Sequence, residues 1–156
     1  MTSESILIDD ARLADVPALA ELLALLFEQE VEMRVDRAKQ LSGLEQMLAA
    51  PNVGRIFVAR ESAGGRPLGM VSLLFTISTA EGGAVSWLED LVVQPAVRGR
   101  GIGTRLLGHA IDFAGAAGHT RIMLHTDASN FSAQALYARH GFTASTMHTM
   151  KLGLGD

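Results

Sequence analysis

Three apolar runs follow one another in mid-chain: "RIFVARE" (residues 55–61), "PLGMVSLLFTIST" (67–79) and "AVSWLEDLVV" (84–93), parted only by the turn-rich "SAGGR" and "EGG". Runs of this kind, bounded by Gly, Pro and Ser, read as strands. Links this short join antiparallel neighbours, because a parallel pair needs a crossover of a dozen or more residues. An antiparallel meander is therefore the frame against which the rest of the chain must pack.

The flanking segments change period. Residues 5–9 read as a short strand, and "DVPALAELLALLFEQE" (15–30) carries apolar residues at helical spacing behind Asp15 as an N-cap, with Pro17 in the tolerated first turn. A second helix covers residues 36–49 and ends before Pro51. Past the meander, Ile102, Leu106, Leu107, Ala110, Ile111 and Ala114 share one face of a helix over residues 101–117. "TRIMLHT" (120–126) is then a strand reached through a helix, and so runs parallel to the strand before it. "NFSAQALYARHGF" (130–142) is a helix stopped by Gly141, and "TASTMHTMKLGL" (143–154) reads as a closing strand. The 156 residues suit one α/β domain spanning 1–156.

Composition narrows the chemistry. With no cysteine, the chain has no disulfide, thiolate nucleophile or cysteine-ligated metal. No run is long and apolar enough to span a membrane and none has a signal-peptide pattern, so a cytoplasmic location is the expectation. A net charge of −4 gives no footprint for nucleic acid. The five histidines (His109, His119, His125, His140, His148) lack paired ligand spacing, and no metal is expected.

Against that acidic background, "LVVQPAVRGRGIGTRLL" (91–107) sets three glycines and three arginines between a strand and a helix. A Walker A loop needs a Lys before Thr104, and the dinucleotide fingerprint needs a third glycine; both are missing. What remains is Arg98-x-x-Gly101-x-Gly103. Exposed N–H groups at a helix start can wrap a pyrophosphate there, with Arg98 and Arg100 adding charge and Thr104 a hydroxyl. The alternative is a plain strand-to-helix turn with surface arginines.

This element, the strand before it and the downstream "NFSAQALYARHGF" together resemble the GNAT superfamily of N-acetyltransferases, and "WLEDLVVQPAVRGRGIG" (87–103) is locally similar to diamine and polyamine acetyltransferases. The resemblance covers nearly the whole chain. It implies a mixed, mostly antiparallel sheet with a splayed parallel strand pair at the cofactor site, flanked by helices, and acetyl-CoA as co-substrate. Cofactor contacts would come from Arg98, Gly99, Arg100, Gly101, Ile102, Gly103 and Thr104 around the pyrophosphate. Leu91, Val92 and Val93 would meet the pantetheine arm, with an N–H of Val92 or Leu91 facing the developing oxyanion. Asn130, Ser132 and Ala133 would touch the arm from the next helix, where Asn130 is also a natural N-cap.

The resemblance also assigns the chemistry. Tyr137, the only tyrosine, is implied as general acid to the leaving thiolate; a phenol of pKa about 10 stays protonated where a thiol of about 8.5 is being released. Glu89 is implied to serve the amine through water or by orienting it, and a purely structural role stands beside that. By strand alternation Glu89 and Asp90 face opposite sides, which leaves Asp90 the structural role and puts Trp87 on the face of Glu89. Glu28, Glu30 and Glu32 read as a solvated acidic face. The expected function is acetyl transfer to an amine by direct attack in a ternary complex. A non-catalytic acyl-CoA sensor and a protein N-acetyltransferase with a peptide acceptor are the alternatives. The final strand either supports a homodimer or finishes one sheet.

Overall fold

The computed structural model describes residues 5–155. Strand β1 (Leu7–Asp10) leads through a 3-10 turn (Leu13–Asp15) into helix α1 (Val16–Gln29), and α2 (Arg37–Ala49) follows. The meander is β2 (Gly54–Arg60), β3 (Gly69–Ser78) and β4 (Gly83–Val93). Helix α3 (Ile102–Ala116), β5 (Ile122–Leu124) and α4 (Phe131–Arg139) complete the order. The sheet runs β1-β2-β3-β4-β5, antiparallel throughout except for the β4–β5 pair, which is parallel because α3 crosses between them.

The meander strands are buried on both faces, which explains their near-continuous apolar runs. On β2, Phe57 and Ala59 point to one core while Ile56 and Val58 point to the other. The first core packs the sheet against α3 through Leu106, Leu107, Ala110 and Ala114; the second packs it against α1 and α2 through Leu19, Leu22, Leu23 and Leu44. Gly69 lets α3 approach: a Cβ there would stand 3.0 Å from Leu106 Cδ1 and 3.1 Å from the Val92 carbonyl oxygen.

Two expectations are corrected. Residues 143–154 form no strand: "TASTMHTMKLGL" has the period of one, but β5 remains the last strand of the sheet and this segment pairs with nothing. Asp15 does not cap α1 with its side chain. Its Oδ2 accepts from the Arg12 N–H (2.8 Å), and the carboxylate takes both ends of Arg60, Nη1 at 3.0 Å and Nη2 at 2.9 Å. Arg60 also donates from Nε to Asp9 (2.7 Å) and from Nη1 to the Gly65 carbonyl (2.8 Å). Its side chain is 1% exposed. This guanidinium ties β1, β2 and the entry to α1 into one corner.

Burial pushes the Asp15 carboxyl up, but hydrogen bonds from Arg60 and the Arg12 N–H, with both positive charges, outweigh it and hold the group below its ordinary value. A carboxylate whose pKa is depressed on folding stabilises above its unfolded value, about 4, and the contribution is lost as pH falls through the lower folded value. Arg60→Ala, which strands a buried carboxylate, should cost about 3–5 kcal/mol in urea denaturation at neutral pH. A loss no larger than that of an exposed arginine would contradict the clamp.

Candidate active site

The parallel ladder is short: Ser86, Trp87 and Leu88 pair with Ile122, Met123 and Leu124. Its closed end is fastened by the Ser86 N–H to the Arg121 carbonyl (2.9 Å) and by a 2.6 Å hydrogen bond between Ser86 Oγ and His119 Nδ1. Beyond Leu88, β4 continues through Val93 with β3 on one side only. Asp90 N–H points to Ser72 Oγ (3.1 Å) and Gln94 N–H to the Leu68 carbonyl (2.8 Å), both toward β3. Alternation between those two points directs the Val92 N–H to β3 as well, and those of Leu91 and Val93 to the open edge. Of the two expected oxyanion donors, only Leu91 faces the gap.

A bulge lies at the mouth of this gap. Ser72 pairs with Asp90 and Leu73 with Leu88, so Glu89 is the extra residue. Leu88 and Val92, four apart and nominally on one face, enter different cores. The bulge has inverted the alternation, as an unpaired residue must. Asp90 therefore shares the face of Val92, toward α1, and not that of Leu88 two residues before it; Glu89 is exposed at the bulge itself. Trp87, half-buried, packs its ring 4.9 Å from that of exposed His125, across the β4–β5 pair.

Asp90 is drawn into an acidic neighbourhood. Burial pushes its carboxyl up to about 7, with the charges of Glu89 and Glu30 adding to the rise and the Ser72 hydrogen bond opposing it. Glu30, at the end of α1, is also raised, by burial and by its hydrogen bond to Asp127. Asp127 Oδ2 in turn accepts from the Val31 N–H (3.4 Å). Tyr137, half-buried on α4 with its ring 5.7 Å from that of Phe142, is raised by burial and by the charges of Glu30 and Asp90. Its phenol stays protonated at neutral pH.

Sequence reasoning passes over Asp90 and Glu30. The bulge hides the first. The second is legible: Leu19, Leu23, Leu26 and Glu30 step along one face of α1 at helical spacing, so Glu30 turns inward while Glu28 and Glu32 stay exposed.

At the far end of the open edge lies the glycine turn. Gly99 (φ +80°) and Gly101 (φ +77°) occupy the left-handed region, where a side chain is strained. Gly101 begins α3 without any capping side chain, leaving the first-turn N–H groups uncapped. At Gly103 a Cβ would meet only Val93, at an ordinary 3.8 Å; the fold itself does not need glycine there. Arg98 Nε donates to the Val93 carbonyl (3.2 Å) and pins the turn to β4. Arg100 has both Nε and Nη2 buried without a hydrogen-bond partner among the described residues, whereas Arg55 and Arg121 each leave only Nε so placed. Two orphaned guanidinium donors beside bare backbone at a helix N-terminus fit an anionic diphosphate. Asn130 caps α4, its Oδ1 accepting from the Ala133 N–H (3.1 Å), and Ser132 is exposed in the first turn.

Among the described residues no group of three or more carboxylate or imidazole side chains stands close enough to hold a metal, and no helix is long and apolar enough to cross a membrane.

The model of the acetyltransferase (GNAT) family matches residues 17–142. The chain is 33% identical over 142 residues to the uncharacterized N-acetyltransferase YhfO of Bacillus subtilis, covering 89% of this chain and 91% of that protein. It is 28% identical over 131 residues to the aminoalkylphosphonate N-acetyltransferase of Salmonella typhimurium, covering 84% and 80%. Among solved structures, a putative acetyltransferase from Agrobacterium tumefaciens superposes with a TM-score of 0.77 at 28% identity, covering 94% of this chain and 99% of that one. A predicted acetyltransferase with acetyl-CoA from Clostridium acetobutylicum gives 0.77 at 18% identity, covering 95% and 96%.

A carboxyl raised from its ordinary value to about 7 costs the fold stability as pH rises between those two values, because over that window the folded chain still holds a proton that the unfolded chain has released. Stability tied to Asp90 is greatest below about pH 4, the ordinary carboxylate value, and falls by about 1.4 kcal/mol for each pH unit from there until the folded group ionises near pH 7. Asp90→Asn should flatten that fall and raise the urea midpoint at pH 8. A lowered midpoint at pH 8 would refute the burial of this carboxylate.

Proposed function

Because the chain belongs to the acetyltransferase (GNAT) family, we propose that it transfers an acetyl group from acetyl-CoA to a small amine by direct attack, with both substrates bound together and no covalent enzyme intermediate. The observation that carries the reading is the pair of orphaned Arg100 donors on the uncapped glycine turn, at the end of an open strand edge. Acetyl-CoA supplies the activated thioester. Arg98, Arg100, the N–H groups of residues 99–104 and the Thr104 hydroxyl would hold its pyrophosphate. The Leu91 and Val93 backbone would receive its arm as an added strand.

The remaining roles follow from position. The Leu91 N–H faces the gap and would stabilise negative charge developing on the acyl oxygen. Tyr137, kept protonated by burial and neighbouring carboxylates, donates to the departing thiolate. Glu89, exposed at the bulge, receives the amine proton through water, since a carboxylate cannot directly strip an ammonium near pKa 10 in one equilibrium step. Asp90, Glu30 and Asp127 add negative potential that favours an amine arriving as its cation. A small amine is also in keeping with the name of the aminoalkylphosphonate N-acetyltransferase relative. The lack of cysteine agrees with direct attack.

Release of free CoA, monitored with acetyl-CoA and a panel of amines and peptides, tests the reading. Turnover of a small amine is expected, with Tyr137→Phe lowering kcat about a hundredfold or more. Saturable CoA binding without turnover on any acceptor would point to a sensor instead, and turnover confined to peptides would point to a protein acceptor.

A further inference from the structure

We propose that His125 is the exit for the site's surplus proton: its imidazole draws off the proton that Glu89 and its water take from the amine, and releases it to solvent. Direct attack by an amine on the thioester is the premise on which this role rests. An ammonium nitrogen that becomes an amide nitrogen gives up two protons. One makes good the proton that Tyr137 gives to the thiolate, and the other is left over in every turnover. A carboxylate holds a proton only fleetingly at neutral pH, so its part in the transfer is efficient only where a stronger base draws the proton on. A neutral imidazole is such a base. In the step an N–H bond of the amine breaks and an imidazole N–H bond forms; the imidazolium then loses that proton to water, and no other atom or electron pair changes hands.

Position singles out His125. The ladder between β4 and β5 ends at the pair Leu88 and Leu124, so Glu89 and His125 are the first residues past it, one on each lip of the gap, and both are exposed. Leu88 and Leu124 pack toward α3, so Trp87 and its partner Met123 point to the other face of the sheet, where α1 packs. His125, two residues past Met123, lies on that face too: its ring centroid stands 4.9 Å from that of Trp87, with 46° between the planes. The charge of Glu89 reaches Asp90, which shares the face of Val92 on the same side. The remaining titratable groups around this mouth are Glu30 at the end of α1, Asp127 on the loop after β5 and Tyr137 on α4.

The ring is also free to act. His119 is bonded to Ser86 Oγ (2.6 Å), His140 Nδ1 meets the Leu136 carbonyl (3.0 Å), His109 packs its ring 4.7 Å from that of Phe57, and His148 lies beyond α4. Neither ring nitrogen of His125 is hydrogen-bonded among the described residues; the Trp87 contact holds the imidazole at the mouth without engaging either one. An imidazole so held can take a proton at one nitrogen and give it to water.

The test is CoA release from acetyl-CoA and the best amine of the panel. His125→Ala should lower kcat by about tenfold or more, short of the loss of about a hundredfold expected for a direct donor, because water reaches an exposed mouth. Its affinity for CoA and its circular dichroism spectrum should be unchanged. Added imidazole should restore the rate of this variant and leave that of the unaltered protein as it is, which a merely structural histidine would not show. Because the two groups act in series, Glu89→Gln with His125→Ala should lose no more than the worse single variant. A His125→Ala rate equal to that of the unaltered protein, a loss that imidazole does not restore, or losses that multiply in the double variant would each overturn the role of His125 while leaving direct attack standing. Absence of CoA release by the unaltered protein on every amine would overturn both.

Discussion

The hydrogen-bond ladder between β4 and β5 stops at Leu88 and Leu124, and the site is built on that interruption. One end of the pair is fastened by Ser86, to Arg121 and to His119. At the other end β4 cannot follow β5, because Val92 is committed to the core beneath α1 and the strand stays in register with β3 as far as Val93. A backbone edge is thereby left unpaired inside a packed domain, at a position where an open ladder would ordinarily be filled. The edge runs directly into the glycine turn and the uncapped start of α3. Because Leu106, Leu107 and Ala110 fix that helix against the sheet, edge and turn hold a constant separation, as a ligand with an extended arm and a diphosphate requires.

The bulge at Glu89 gives the same strand its chemistry. One inserted residue brings Asp90 under α1, where desolvation and two neighbouring carboxylates raise it, and leaves Glu89 at the surface of the gap. Two adjacent acids thus acquire different environments. Burial, with the negative charges of Glu30 and Asp90 adding to it, keeps the Tyr137 phenol protonated. The buried guanidinium of Arg60, by contrast, is matched by opposite charge: it donates to Asp9, Asp15 and a carbonyl.

Much of this is readable in the sequence, for reasons that also explain the failures. The meander, α1 and α3 are long periodic segments packed against a core, so local pattern and tertiary structure agree. The Gly-Arg turn is readable because its residues have few other uses at a strand-to-helix junction. Plain alternation puts Asp90 on the face of Leu88, and the structure does not, because a bulge leaves no mark in a pattern of period two. Asp15 looks like a cap because its partner, Arg60, is 45 residues away. The tail has the periodicity of a strand, yet periodicity records only which face wants burial; among the described residues no strand pairs with it.

The central claim is that the turn at residues 98–104 grips a diphosphate and so lays a thioester along β4. Titration calorimetry with CoA, set beside pantetheine, which carries the thiol arm without the diphosphate, tests it most directly. The account predicts saturable binding of CoA, far weaker binding of pantetheine, and a loss of about tenfold or more in CoA affinity for Arg100→Ala, since a charge-assisted contact is worth about 1.5–3 kcal/mol. Equal affinity for the two ligands, or CoA binding untouched by Arg100→Ala in folded protein, would contradict it.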